Sequence, residues 1–151
     1  MDVGGLIHAS AFAAVVMAGL LAGMNATGVI THTAGLRLQP AAWTQRHQVE
    51  DQVFRRVMPL IVLGALVALA TAAMTSSGLS RGLFAGAGAL TLAILLTTTR
   101  LIALNRRINT WDGASPPPEM PATRALWLRW HVVRTAAAFA VFALTAIAVV
   151  W

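Results

Sequence analysis

Arg124-Ala125-Leu126-Trp127-Leu128-Arg129-Trp130-His131-Val132-Val133-Arg134 opens the last apolar segment of the chain, and no charged residue follows it up to Trp151. Read as a helix, the stretch puts Trp127, His131 and Arg134 on one face, at i, i+4 and i+7, and pairs Trp130 with Arg134 at i, i+4. An imidazole and a guanidinium thus lie about two turns inside a helix that otherwise reads as lipid-soluble. Ionisable groups at that depth are costly and face a bundle interior or a wet cavity. The stretch therefore predicts a helix in a bundle, with the other segments converging on this face.

The composition agrees. Of 151 residues, 58% are hydrophobic and only 11% charged, with a mean hydropathy of +0.72. A soluble domain carries roughly 25% charged residues. The chain reads as one integral membrane domain over residues 1–151, too short for a second bundle. It has no cysteine, which excludes disulfides and thiolate metal sites. The net charge of +6 comes from arginine alone. With no basic run interleaved with aromatics, nucleic-acid binding is not expected. Loop arginines obeying the positive-inside rule account for the charge. The start, Met-Asp-Val-Gly-Gly, has no basic residue before the apolar run, so the first segment is expected to be a retained span rather than a cleaved signal peptide.

Four helices are expected, over about 5–33, 40–76, 81–110 and 123–151, each long enough for a span of about 20 residues. Pro40 suits the first turn of the second helix, and Thr123 is the expected N-cap of the fourth. Pro59 leaves the carbonyl of Arg55 without its helical donor, so a kink is expected there. Gly19-Leu-Leu-Ala-Gly23 and Gly82-Leu-Phe-Ala-Gly86 are small-xxx-small patterns. They read as close packing within the chain, with a homo-oligomer seam as the alternative. The fold class is all-α, a four-helix transmembrane bundle.

Up-down order puts the 33–55 and 105–123 connections at one end. That end carries Arg37, Arg46, Arg55, Arg56, Arg106, Arg107, Arg124 and Arg129, and the other only Arg81. The expected location is a bacterial inner membrane, with the Arg-rich loops cytoplasmic and both termini outside. His32, His47, Asp51, Asn105 and His131 then share one end, near Asn25, Arg100, Trp111 and Arg134, while His8 lies at the other. Thr98, Leu101, Asn105 and Asn109 fall on one face of the third helix.

Two chemistries suit this cluster. His32, His47, His131 and Asp51 offer nitrogen and oxygen ligands for copper or iron. Without a metal, His131 or His47 would act as general base, with Arg134 or Arg100 stabilising an oxyanion, and oxygen would react with the substrate directly. Asp51 would orient His47 or, one turn from it, pair with Arg55. Each histidine also has a plainer reading as an interfacial polar residue. Trp43, Trp111, Trp127 and Trp130 read either as an aromatic belt or as a lining for a flat substrate.

Asn105 with Ile108-Asn109-Thr110-Trp111, the run Trp127-Leu-Arg-Trp-His131-Val-Val-Arg134, and His47-Gln48 through Asp51 to Met58-Pro59 together resemble the anthrone-oxygenase-like family of small four-helix membrane proteins. The likeness covers essentially the whole chain. It implies oxidation of an anthrone to a quinone by molecular oxygen at a membrane, in polyketide pathways. Carried over residue by residue, it points to Asn105, Trp130, His131 and Arg134, and less specifically to His47 and Asp51.

The expected function is a membrane-embedded monooxygenase for a lipophilic, aromatic or polyketide-like molecule. Its expected partners are that substrate, oxygen and the bilayer. His131, Arg134, Asn105 and Arg100 are the candidate catalytic residues. Trp111, Trp127, Trp130 and Asn25 are the candidates for holding substrate. The alternative is a non-enzymatic module, either an accessory subunit or a small transporter protomer.

Overall fold

The computed structural model describes residues 3–151. Met1 and Asp2, which precede the first expected span, lie outside the described residues. Four helices follow in order: α1 (Val3–Gly35), α2 (Pro40–Thr75), α3 (Gly78–Ile108) and α4 (Met120–Val150). There is no strand among the described residues. Each helix carries an apolar stretch long and hydrophobic enough to cross a bilayer. In lipid the backbone must satisfy its own hydrogen bonds, which a helix does. At 36 residues, α2 extends about 54 Å, against a hydrocarbon core of roughly 30 Å. Its polar first turns, Pro40 to Arg56, therefore stand at or beyond the headgroups.

The helices form a ring in chain order, each packed against two neighbours: α1 on α2 and α4, and α3 on α2 and α4. The half of the ring towards the termini is filled by a core of alanines with Leu21, Leu69, Phe84, Ile94 and Val141. Small side chains allow the backbones to approach closely where lipid supplies no hydrophobic drive. At the other end Trp43, Leu101, Ile108, Met120 and Trp127 form a second, aromatic cluster.

The connections are short where they need to be. After α1, the N–H groups of Leu36, Arg37 and Leu38 donate to the carbonyls of Thr33, Ala34 and Gly35 at 3.2, 3.3 and 3.0 Å. Pro40 then enters the first turn of α2. Only Ser76 and Ser77 separate α2 from α3, and Gly78 takes the left-handed φ of +53° that this reversal demands. The longer α3–α4 connection is tied to α2 by the Gln48 side-chain amide, which donates to the carbonyls of Ile108 and Trp111 at 3.1 and 3.0 Å.

The expected bounds need correction at two starts. Helix α4 begins at Met120, three residues before Thr123, because Pro121 is harmless in a first turn whose N–H groups have no helical acceptor. Thr123 is instead a buried residue of that helix. Helix α3 begins at Gly78 rather than near 81. Of the glycine patterns, Gly19 seats an intrachain neighbour, with the Phe142 ring 3.4 Å from where its Cβ would be, while Gly23, Gly82 and Gly86 face open space.

Candidate active site

The end of the ring formed by the α1 and α3 C-termini and the α2 and α4 N-termini holds a polar cluster. His32, His47, Trp127 and His131 are all buried. Trp127 stacks on His32 (centroids 3.9 Å apart, 26° between planes) and on His131 (4.5 Å, 17°). Trp43, read as a belt residue or as lining for a flat substrate, does neither: it is buried and stacked on His47 at 5.1 Å and does not line the cavity that opens from this cluster.

The partners of the ring nitrogens assign the tautomers. His32 Nδ1–H donates to the Gly28 carbonyl at 3.1 Å. Its Nε2 is then an acceptor, and His47 Nδ1–H donates to it at 3.0 Å. His47 Nε2 is left with a lone pair. It lies buried with the Asn105 side chain as its polar neighbour and has no hydrogen bond of good geometry. Behind this dyad the Glu50 carboxylate stands 3.7 Å from His32 Nδ1 and receives Arg46 Nε–H at 2.8 Å.

His131 is arranged in the opposite sense. Its Nε2–H donates to the Asn25 carbonyl at 3.1 Å. Its Nδ1 accepts from Arg134 Nη2 at 3.0 Å. Both nitrogens are engaged, so His131, one of the two imidazoles offered as base and also offered as a metal ligand, has no free lone pair here and serves as a bracket for Arg134. The bracket requires Gly28, since a Cβ there would fall on His131 Nε2. Arg134 keeps Nε buried and unpaired, and among the described residues it has no carboxylate partner.

Asp51 does not pair with Arg55. It accepts from Asn105 Nδ2 at 2.6 Å and Asn109 Nδ2 at 2.7 Å, and Asn105 Oδ1 receives Trp127 Nε1–H at 2.6 Å. The network ties α2, α3 and α4 together and fixes the indole that stacks on two histidines.

A cavity of about 480 Å³ opens from this cluster, within the range of small-molecule sites. His32, His47, Asp51, Asn105, Trp127, His131 and Arg134 form its polar end, and Met58, Val62, Leu66, Ile94 and Leu101 are among its apolar walls. Arg100, Trp111 and Trp130 do not line it. Arg100 is exposed. Trp111 and Trp130 pack against the aromatic cluster from outside. Asn25 acts through its carbonyl, behind His131. Glu50, unassigned from the sequence, joins the site through His32. Its i, i+4 spacing from Arg46 was legible, but its approach to α1 was not.

As a metal centre the donors do not fit. Among the described residues no group of three or more His, Asp or Glu side chains is arranged to hold an ion. His32 and His131 have both nitrogens committed, each Asp51 oxygen already accepts from an amide, and a guanidinium lies against His131.

A family model described as anthrone oxygenase matches residues 51–144. The matched stretch carries Asp51, Asn105, Trp127, His131 and Arg134, while His32 and His47 precede it. No curated protein and no solved structure matches the chain. With most of the chain inside the match, and the paired amides, indole and arginine bracket within it, the protein belongs to the anthrone oxygenase family.

Proposed function

We propose that this protein is a membrane-embedded oxygenase for lipophilic aromatic, polyketide-like molecules with an acidic ring C–H. The observation that carries this reading is the placement around one cavity of an imidazole nitrogen without a well-formed hydrogen bond (His47 Nε2) and a half-buried guanidinium that has no carboxylate partner among the described residues (Arg134). A buried cation without a counter-ion is costly and becomes favourable when an anion joins it. A base beside it can make that anion.

In the proposed reaction His47 Nε2 takes a proton from the ring methylene of an anthrone-type substrate. The electron pair moves onto the ring carbonyl oxygen, and Arg134 holds that oxyanion. The electron-rich carbon reduces molecular oxygen and forms a C–O bond. The resulting hydroperoxide loses water, leaving a quinone carbonyl. One oxygen atom stays in the product, and the other leaves as water together with the two methylene hydrogens. His32 positions His47, and Glu50 balances the charge when His47 is protonated. Trp127 offers a flat aromatic wall. No step is routed through copper or iron, because the donors are otherwise engaged.

The Arg-rich end, and with it the site, faces the cytoplasm in this reading. A conduction path is disfavoured because the core beyond Ile94 is packed with alanine, leucine and phenylalanine. The test is oxygen uptake by purified protein in lipid nanodiscs with an anthrone as substrate. Quinone formation that falls at least a hundredfold in both His47→Ala and Arg134→Gln supports the assignment. Turnover unchanged in both variants would refute it.

A further inference from the structure

The cavity is longer than a flat ring system needs. On α3 its lining reaches from Asn105 back to Ile94, eleven positions away, and on α2 it continues past Asp51 to Leu66, fifteen positions away. At 1.5 Å per residue these stretches cover about 16 Å and about 22 Å of helix. The polar groups are confined to one end, and the walls beyond Met58 are apolar apart from Thr98. This deep arm is also open sideways. Leu63 and Leu95 line it and Ile102 lines the cavity nearer Asn105, and all three are exposed (60%, 38% and 45%), so α2 and α3 do not close over this side. They belong to α2 and α3, within stretches apolar enough to lie in the bilayer.

A site of this shape selects an amphiphile. The ring must reach Arg134 and His47 at the polar end of the cavity. Whatever is attached to it extends down an apolar channel whose side faces lipid. An aliphatic tail in the arm would leave water or bilayer for apolar walls and be favoured in proportion to the area it covers. We infer that the natural substrate is a phenolic or anthrone-like ring bearing an aliphatic tail, which enters sideways from the bilayer between α2 and α3 and lays its tail along Val62, Leu66 and Ile94. The inference rests on the ring-binding role proposed above. Neither the family match nor the polar cluster specifies a tail.

The test compares two probes in nanodiscs: an anthrone, and the same ring with an octyl chain. Affinity is read from quenching of tryptophan fluorescence, and turnover from oxygen uptake. Wild type is compared with Leu66→Trp, which plugs the deep arm, and with Leu63→Trp at the lateral rim. The rim variant provides a second reading if the first is poorly folded by thermal unfolding. The expected result is at least tenfold tighter binding of the tailed probe to wild type. That advantage shrinks to threefold or less in a plugged variant that still binds the bare ring normally. Partitioning of the tail into the bilayer is the same for all variants, so it cannot produce this pattern. Equal affinity for both probes, or a tail advantage that survives both plugs as it would if lipid chains fill the arm, overturns the inference. The expected binding pattern without oxygen uptake would uphold the tailed ligand while removing the oxygenase reading.

Discussion

His32 Nε2 accepts a hydrogen bond from His47 Nδ1 across 3.0 Å, joining the end of α1 to the start of α2. Because His32 is itself held by the Gly28 carbonyl, the pair works in one direction: it leaves His47 Nε2 as a buried acceptor at the polar end of the cavity. His32 is then a positioning residue. His32→Ala is expected to lower kcat about tenfold or more, less than the roughly 10²–10⁴-fold loss expected for a missing base. His32→Gln, whose amide can both donate and accept, should recover much of that loss while leaving KM near wild type. Equal loss in both variants with correct folding would show that the hydrogen bond to His47 is not the reason for the residue.

Gly28 makes room for His131, and through it for Arg134. Gly28→Ala must push the imidazole aside, and forcing an extra methyl group into a packed site costs about 1–3 kcal/mol. A lower melting temperature and weaker turnover are expected. In a His131→Ala background the same substitution should cost less, with a coupling of about 0.5–3 kcal/mol for directly contacting residues. Additive effects in this double-mutant cycle would contradict the close packing.

Much of this arrangement follows from periodicity, and the parts that do not depend on which helices meet. Trp127, His131 and Arg134 share a face because 3.6 residues make a turn, and all three line the cavity. On α3 the face Thr98, Leu101 and Asn105 also lines it, and that face already directs Arg100, next to Leu101, away from the site. Asp51 illustrates the limit. Arg55 is its neighbour in sequence, but its partners are Asn105 and Asn109, brought to it by the α2–α3 contact. The roles of the two candidate bases likewise turn on carbonyls of α1, at Gly28 and Asn25, which have no side-chain signature.

The Asp51–Asn105–Trp127 chain predicts an order of stability. Asn105→Leu removes both the amide donor and the acceptor for the indole N–H, at a cost of about 1–3 kcal/mol for polar groups left unpaired. Asn105→Asp should be worse, since it sets a second carboxylate against Asp51. Thermal unfolding in one fixed detergent checks the order wild type, then Asn105→Leu, then Asn105→Asp. An Asn105→Asp protein as stable as wild type would show that the carboxylate contact is not made.

Among the described residues, committed ring nitrogens and a guanidinium beside His131 leave no set of donors arranged for a transition metal. Dialysis against a strong chelator is therefore expected to leave oxygen uptake within about twofold of the untreated protein, a smaller change than any acid–base contribution. Loss of activity that copper or iron restores would mean that the histidines rearrange around an ion, and would reverse the roles assigned here to His32 and His131.

The claim that His47 takes the substrate proton is tested most directly by chemical rescue. Quinone formation is measured in nanodiscs for wild type and His47→Ala, with and without added imidazole, using anthrone with hydrogen or deuterium at the reacting methylene. A slow His47→Ala rate that rises with imidazole concentration, with slower turnover of the deuterated substrate in the rescued reaction, is the predicted result. A His47→Ala protein that turns over at the wild-type rate, or a slow one that imidazole leaves unchanged while it remains folded and binds anthrone normally, would contradict it.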